Sequence, residues 1–84
     1  MEYSFKASAF RQLKKLPKSV QKRIVNKLDF YISSPNPFRF AERLIDKKFG
    51  DYRFRIGEYR IFCDSEKDTI MILKIGHRKD VYKK

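Results

Sequence analysis

Tyr52-Arg53-Phe54-Arg55-Ile56-Gly57-Glu58-Tyr59-Arg60-Ile61-Phe62-Cys63 is the stretch whose reading decides the fold. Tyr52 to Ile56 alternates strictly between apolar and cationic residues, as a strand with one buried face does. A second β-rich run begins at Tyr59. Gly57-Glu58 joins the two runs, and glycine first in a two-residue connection predicts a type II′ hairpin turn. That turn sets Ile56 opposite Tyr59, Phe54 opposite Ile61 and Tyr52 opposite Cys63, all on one side of the sheet. On the other side Arg55 then stands directly opposite Arg60, with Arg53 next along. Like charges facing each other across a strand pair are destabilising. Three arginines converging on one face therefore suggest a site for an anion, and the planar guanidinium fork suits phosphate best. The plainer alternative is a solvated outer face whose charge is balanced by neighbouring Asp or Glu.

Working outward, residues 2 to 6 alternate well enough for a short strand. Phe10, Leu13 and Leu16 recur at helical spacing, and Val20, Ile24, Leu28 and Tyr31/Ile32 do so again after Pro17. Ser33-Ser34-Pro35-Asn36-Pro37 ends the second helix, because proline cannot continue it. Beyond the hairpin, Asp64 to Asp68 reads as a polar turn and Thr69 to Ile75 as a further strand. Residues 38 to 50 carry little pattern, apart from a weak strand signal around Leu44 to Lys48. The expectation is an α+β chain of order β-α-α-β-β-β, a helical hairpin packed on an antiparallel sheet, with residues 1–84 forming a single domain.

Composition narrows the function. The chain has 84 residues, 21 Lys+Arg against 10 Asp+Glu, and a formal net charge of +11. Such an imbalance favours polyanionic partners. Residues 1–33 carry 8 basic and 2 acidic residues, so more than half of that excess lies on the helical half. No stretch approaches the ~18 consecutive apolar residues of a membrane span, and the N-terminus lacks a signal-peptide core. One cysteine and one histidine are too few for a structural zinc site. The expectation is a reduced, cytoplasmic protein with no cofactor, no metal and no membrane association.

A second candidate region is Gly76-His77-Arg78-Lys79-Asp80-Val81-Tyr82. Gly76 permits a sharp exit from the last strand. Behind it come the one histidine, another arginine, and a tyrosine able to stack on a base or transfer a proton. Cys63 falls on the inward side of its strand and reads as a small buried hydrophobe. No paired carboxylates, Gly-rich phosphate loop or positioned nucleophile is evident.

The blocks Tyr52-Arg53-Phe54-Arg55-Ile56-Gly57-Glu58-Tyr59-Arg60-Ile61-Phe62 and Ile72-Leu73-Lys74-Ile75-Gly76-His77-Arg78-Lys79-Asp80-Val81-Tyr82 resemble the RelE/ParE superfamily of toxin–antitoxin toxins. Phe10, Leu13-Lys14-Lys15-Leu16-Pro17 and Asn36-Pro37 fit the same pattern, so the resemblance spans essentially the whole chain. It implies a β-α-α-β-β-β fold and a cognate acidic antitoxin as partner, with the toxin–antitoxin complex a candidate binder of operator DNA. In the RelE-like branch it implies a metal-free endoribonuclease acting on mRNA in the ribosomal A site, amid 16S rRNA. There the 2′-hydroxyl attacks the adjacent phosphate. The residues matching that catalytic pattern are Arg53, Arg55, Arg60, Arg78 and Tyr82.

One departure is visible. The RelE pattern has lysines where this chain has Arg53 and Arg55. Arginine stays protonated in protein sites, so neither can act as a general base, although both can stabilise developing phosphorane charge. Proton transfer then falls to His77, to Tyr82, or to a ribosomal group. Two other readings stand beside this one. A ParE-like toxin would inhibit DNA gyrase without cutting RNA, and a plain nucleic-acid-binding module would use the same charge without catalysis.

Overall fold

The computed structural model describes residues 1–81. The two runs around Gly57 form strands β3 (Tyr52–Ile56) and β4 (Tyr59–Glu66), paired in the expected register from Tyr52 opposite Cys63 to Ile56 opposite Tyr59. Gly57 takes φ +59°, the left-handed conformation that a type II′ turn requires at its first position. Strand β5 (Thr69–His77) follows β4 through a turn at Lys67, whose own φ is +54°. The polar turn expected over Asp64–Asp68 is thus shorter, because β4 continues to Glu66.

Strand β1 (Glu2–Phe5) leads into helix α1 (Ala7–Lys14), and helix α2 (Lys18–Ile32) follows Pro17. Two residues, Glu42–Arg43, form the edge strand β2. The sheet has five strands in the order β1-β5-β4-β3-β2. Its antiparallel character holds for every pair except β1 with β5, which is parallel, so the sheet is mixed rather than wholly antiparallel. β1 reaches only as far as Ile72 of β5. Beyond that point the Ile75 N–H donates to Gln12 Oε1 of α1 at 2.8 Å, which satisfies a backbone group that no strand covers. The weak strand signal at Leu44 to Lys48 resolves into β2 just before it and a 3-10 turn at Lys47–Phe49.

The helices cover the face that carries Phe54, Ile56, Ile61, Cys63, Ile70, Ile72 and Ile75, and they contribute Ala9, Leu13, Ile24, Leu28 and Tyr31 to one core. Phe10, placed by spacing on the inner stripe of α1, is instead half exposed, with Ala9 taking the buried position. The segment between α2 and β3 is held by stacked rings. Tyr31 lies 4.8 Å from Phe54 and 4.9 Å from Phe40, and Phe38 lies 4.2 Å from Tyr52, centroid to centroid. Such offset contacts add about 0.5–1.5 kcal/mol each beyond the area they bury. They fix β3 against α2; on the opposite face Phe62 is buried beside Phe49, and Arg55 near the turn stands exposed.

Two acidic groups are suppressed by this packing. Burial, and then the charge of Asp64, push the Cys63 thiol up to about 12. Partial burial, then the hydrogen bond to Asp29, push the Tyr3 phenol up to about 12. Each group is more easily ionised in the unfolded chain. The stability they contribute is therefore complete below about pH 9 and is lost as pH rises towards 12. Cys63 in the native protein should resist a thiol reagent at pH 8 and react only at the rate of unfolding. The melting temperature should fall above about pH 9, less steeply in Tyr3→Phe. Rapid native-state labelling of Cys63 would contradict this packing.

Candidate phosphate site on the open sheet face

The hairpin register puts Arg55 opposite Arg60, as the turn at Gly57 demands. What allows two guanidinium groups to stand there is distributed over three elements. Glu42 of β2 pairs with both arginines of β3, its Oε2 at 2.9 Å from Arg53 Nη2 and its Oε1 at 2.6 Å from Arg55 Nε. Arg60 is held differently. Its Nη1 donates to the carbonyl oxygens of Gly57 and Tyr59, each at 3.1 Å. Those acceptors orient the guanidinium without neutralising it, so the charge remains available to an anion.

Arg78 arrives at the same end of the hairpin. Its backbone N–H donates to the Glu58 carbonyl at 2.7 Å, and its side chain forms an ion pair with the Glu58 carboxylate. Gly76, opposite Arg60 on β5, is the residue that lets the chain fold back. A Cβ there would lie 2.9 Å from Val81 Cγ2, which is closer than two carbons approach, so a side chain would push buried Val81 off the sheet.

His77 is placed elsewhere. It pairs with Tyr59, and its ring meets the Tyr59 ring edge-on at 5.4 Å, on the helix-facing side of the sheet. Its Nδ1 accepts the Lys79 backbone N–H at 3.1 Å, which in neutral imidazole leaves the proton on Nε2. The structure thus gathers Arg53, Arg55 and Arg60 on one face, brings Arg78 to its edge, and turns His77 to the other side. Tyr82 lies outside the described residues.

Glu42 and Glu58 were not singled out from the sequence. Glu42 belongs to a two-residue strand with no periodicity to reveal it. Glu58 had a usable signal, since extending the register from β4 to β5 brings the hairpin turn beside the residue after His77.

An arginine cluster of this kind at the turn of a β3–β4 hairpin can be compared with known proteins. Residues 3–82 match the family described as ParE toxin of type II toxin-antitoxin system, parDE. The chain belongs to the RelE/ParE family of toxins. It is 33% identical over 82 residues to Toxin RelG of Mycobacterium tuberculosis, covering 95% of this chain and 93% of that one. It is 30% identical over 84 residues to Toxin RelE3 of Methanocaldococcus jannaschii, covering 98% and 96%. The fold matches the toxin–antitoxin complex RelBE2 of M. tuberculosis with TM-score 0.74 and 29% identity over 92% of this chain and 96% of that one. It also matches the RelB–RelE complex of Methanococcus jannaschii with TM-score 0.68 and 28% identity, over 93% of each chain. These relatives place the chain on the RelE-like side of the family.

Glu42 generates a test. Exposed pairs of this kind contribute less than about 1 kcal/mol, so Glu42→Gln should remain folded. It should also leave Arg55 short of the counter-charge that Glu42 supplies. The variant is expected to gain more in melting temperature from added inorganic phosphate than the parent does. Equal phosphate responses would mean that the face does not bind anions.

Proposed function

We propose that the chain is an endoribonuclease toxin that cleaves mRNA in the ribosomal A site and is neutralised by an acidic antitoxin. The observation that carries the reading is Arg60, fixed by two backbone carbonyls opposite Arg55 and left without a carboxylate partner among the described residues. In the proposed reaction the ribose 2′-oxygen attacks the adjacent phosphorus, the bond to the 5′-oxygen breaks, and a 2′,3′-cyclic phosphate and a 5′-hydroxyl result. The 2′-hydroxyl proton goes to a base, and the leaving oxygen receives one from an acid. Arg53, Arg55, Arg60 and Arg78 supply positive charge where the phosphorane develops its own, a contribution that preorganised donors make at little reorganisation cost.

The base is assigned to Tyr82. The placement of His77 favours this, since its ring faces Tyr59 and its Nδ1 is engaged by Lys79. Tyr82 is assigned on its match to the RelE catalytic pattern.

The antitoxin reading is supported by the two solved RelB–RelE complexes and by the helical face. A cleft of about 580 Å³ on α2 is lined by Lys22, Arg23 and Lys27 around exposed Phe30, with no acidic residue in its lining. An acidic amphipathic segment suits that chemistry.

The family description names the ParE toxin, which keeps gyrase inhibition as the second reading. Under it the arginine cluster is dispensable for toxicity, and purified protein blocks supercoiling. Under the ribonuclease reading, Arg60→Ala and Arg78→Ala stay folded and lose cleavage on programmed ribosomes by about 10²-fold or more. Tyr82→Phe should cost more than His77→Gln. Parental activity should keep rising through about pH 8 to 9 rather than levelling near 7 as a histidine base would. Growth arrest equal to the parent in both arginine variants would reject the phosphate site.

A further inference from the structure

Beyond the end of β1, the free edge of β5 borders an open cleft of about 560 Å³ between the start of α1 and the turn at Lys47–Phe49. Lys6, Lys47, Lys48 and Lys74 line it, together with Asp51 and Asp64. The two carboxylates are already engaged. Asp51 pairs with Lys47 at 2.9 Å, and Asp64 Oδ1 accepts the Asp51 backbone N–H at 2.7 Å. Lys6, Lys48 and Lys74 have no carboxylate partner among the described residues.

Two of these three ammonium groups are held in place. Lys74 Nζ sits 3.8 Å from the centroid of the Phe49 ring, and Lys48 Nζ lies 5.4 Å from it. Phe49 is itself braced edge-on against Phe62 at 5.2 Å. Cations restrained in this way lose less conformational freedom when an anion arrives. Lys74 also connects the cleft to the arginine face. It stands opposite Phe62, while Gly76 stands opposite Arg60, so the two positions share one side of β5 at a spacing of roughly 7 Å.

We infer that this cleft is a second grip on the RNA, in which Lys6, Lys48 and Lys74 contact successive backbone phosphates of the strand whose reacting phosphate lies at Arg60. The inference rests on the ribonuclease reading above and adds the direction in which the strand leaves the site. A single-stranded polyanion tracked by separated cations fits the arrangement better than a compact anion, because the positive groups follow the sheet surface instead of closing around one point.

The test uses the full chain and a fluorescent twelve-nucleotide RNA methylated at every 2′-oxygen, which cannot be cleaved. Anisotropy is measured across a range of KCl for the parent, for Lys48→Ala/Lys74→Ala, and for Lys48→Arg/Lys74→Arg. Removing two phosphate-facing charges should weaken binding several-fold and reduce the slope of log affinity against log salt by about 1.4, at roughly 0.7 per contact for single strands. The arginine pair should restore both. Unchanged affinity and slope in the alanine pair overturn the inference, and they leave the ribonuclease reading intact if Arg60→Ala still abolishes cleavage. If the alanine pair keeps the RNA but loses a polyglutamate peptide, the cleft serves an acidic protein and the inference also fails. Equal RNA affinity in the parent and the alanine pair, with inorganic phosphate raising the melting temperature of the parent more than that of the alanine pair, assigns the cleft to free phosphate and is equally contrary. A parent that binds no RNA at any salt overturns the inference, while the ribonuclease reading is decided separately by cleavage on programmed ribosomes.

Discussion

The apposition of Arg55 and Arg60 across the β3–β4 hairpin is the constraint on which the account depends. It costs electrostatic energy, and it follows from one backbone fact, the positive φ of Gly57 at the head of a two-residue turn. Shifting the register by one residue would relieve the repulsion. It would also carry Phe54 and Ile56, the buried residues of β3, from the core to solvent, and burying side chains of that size stabilises by about 1.5–3 kcal/mol each. The core therefore enforces the arginine pair.

The surrounding structure contains that repulsion without removing the charge. Glu42 ties Arg53 and Arg55 from one edge, and Glu58 ties Arg78 from the turn. Arg60, in the centre, is oriented by neutral carbonyls. The stacked rings of Tyr31, Phe38, Phe40, Tyr52 and Phe54 hold β3 from behind. A rigid sheet whose central arginine has no carboxylate partner among the described residues suits an anion whose charge grows during reaction, because little has to move when it does.

Much of this was legible in the sequence, for identifiable reasons. The period of two and the position of Gly57 fixed the hairpin register, its buried set including Cys63, and the converging arginines. The helices followed from their apolar spacing, although Ala9 rather than Phe10 fills the inner face of α1. What could not be read depends on partners distant in the chain. The parallel pairing of β1 with β5 joins Glu2 to Thr69, and a four-residue strand carries no signal of direction. β2 is too short for a period, so Glu42 stayed hidden, and the aromatic stack is a set of contacts rather than a pattern. Adjacency in sequence groups His77 with Arg78. The strand period of two sets His77, the last residue of β5, on the Tyr59 side, whereas Arg78 lies in the turn that follows and is tied to Glu58.

The most direct test of the central claim is the chemistry of the cut ends on an mRNA bound to programmed ribosomes. Attack by the 2′-oxygen predicts a 2′,3′-cyclic phosphate or its opened 3′-phosphate on the upstream fragment and a 5′-hydroxyl on the downstream one. A single 2′-deoxy substitution at the cut site should stop the reaction. Cleavage that leaves a 5′-phosphate, or that proceeds through the deoxy substitution, would contradict the account.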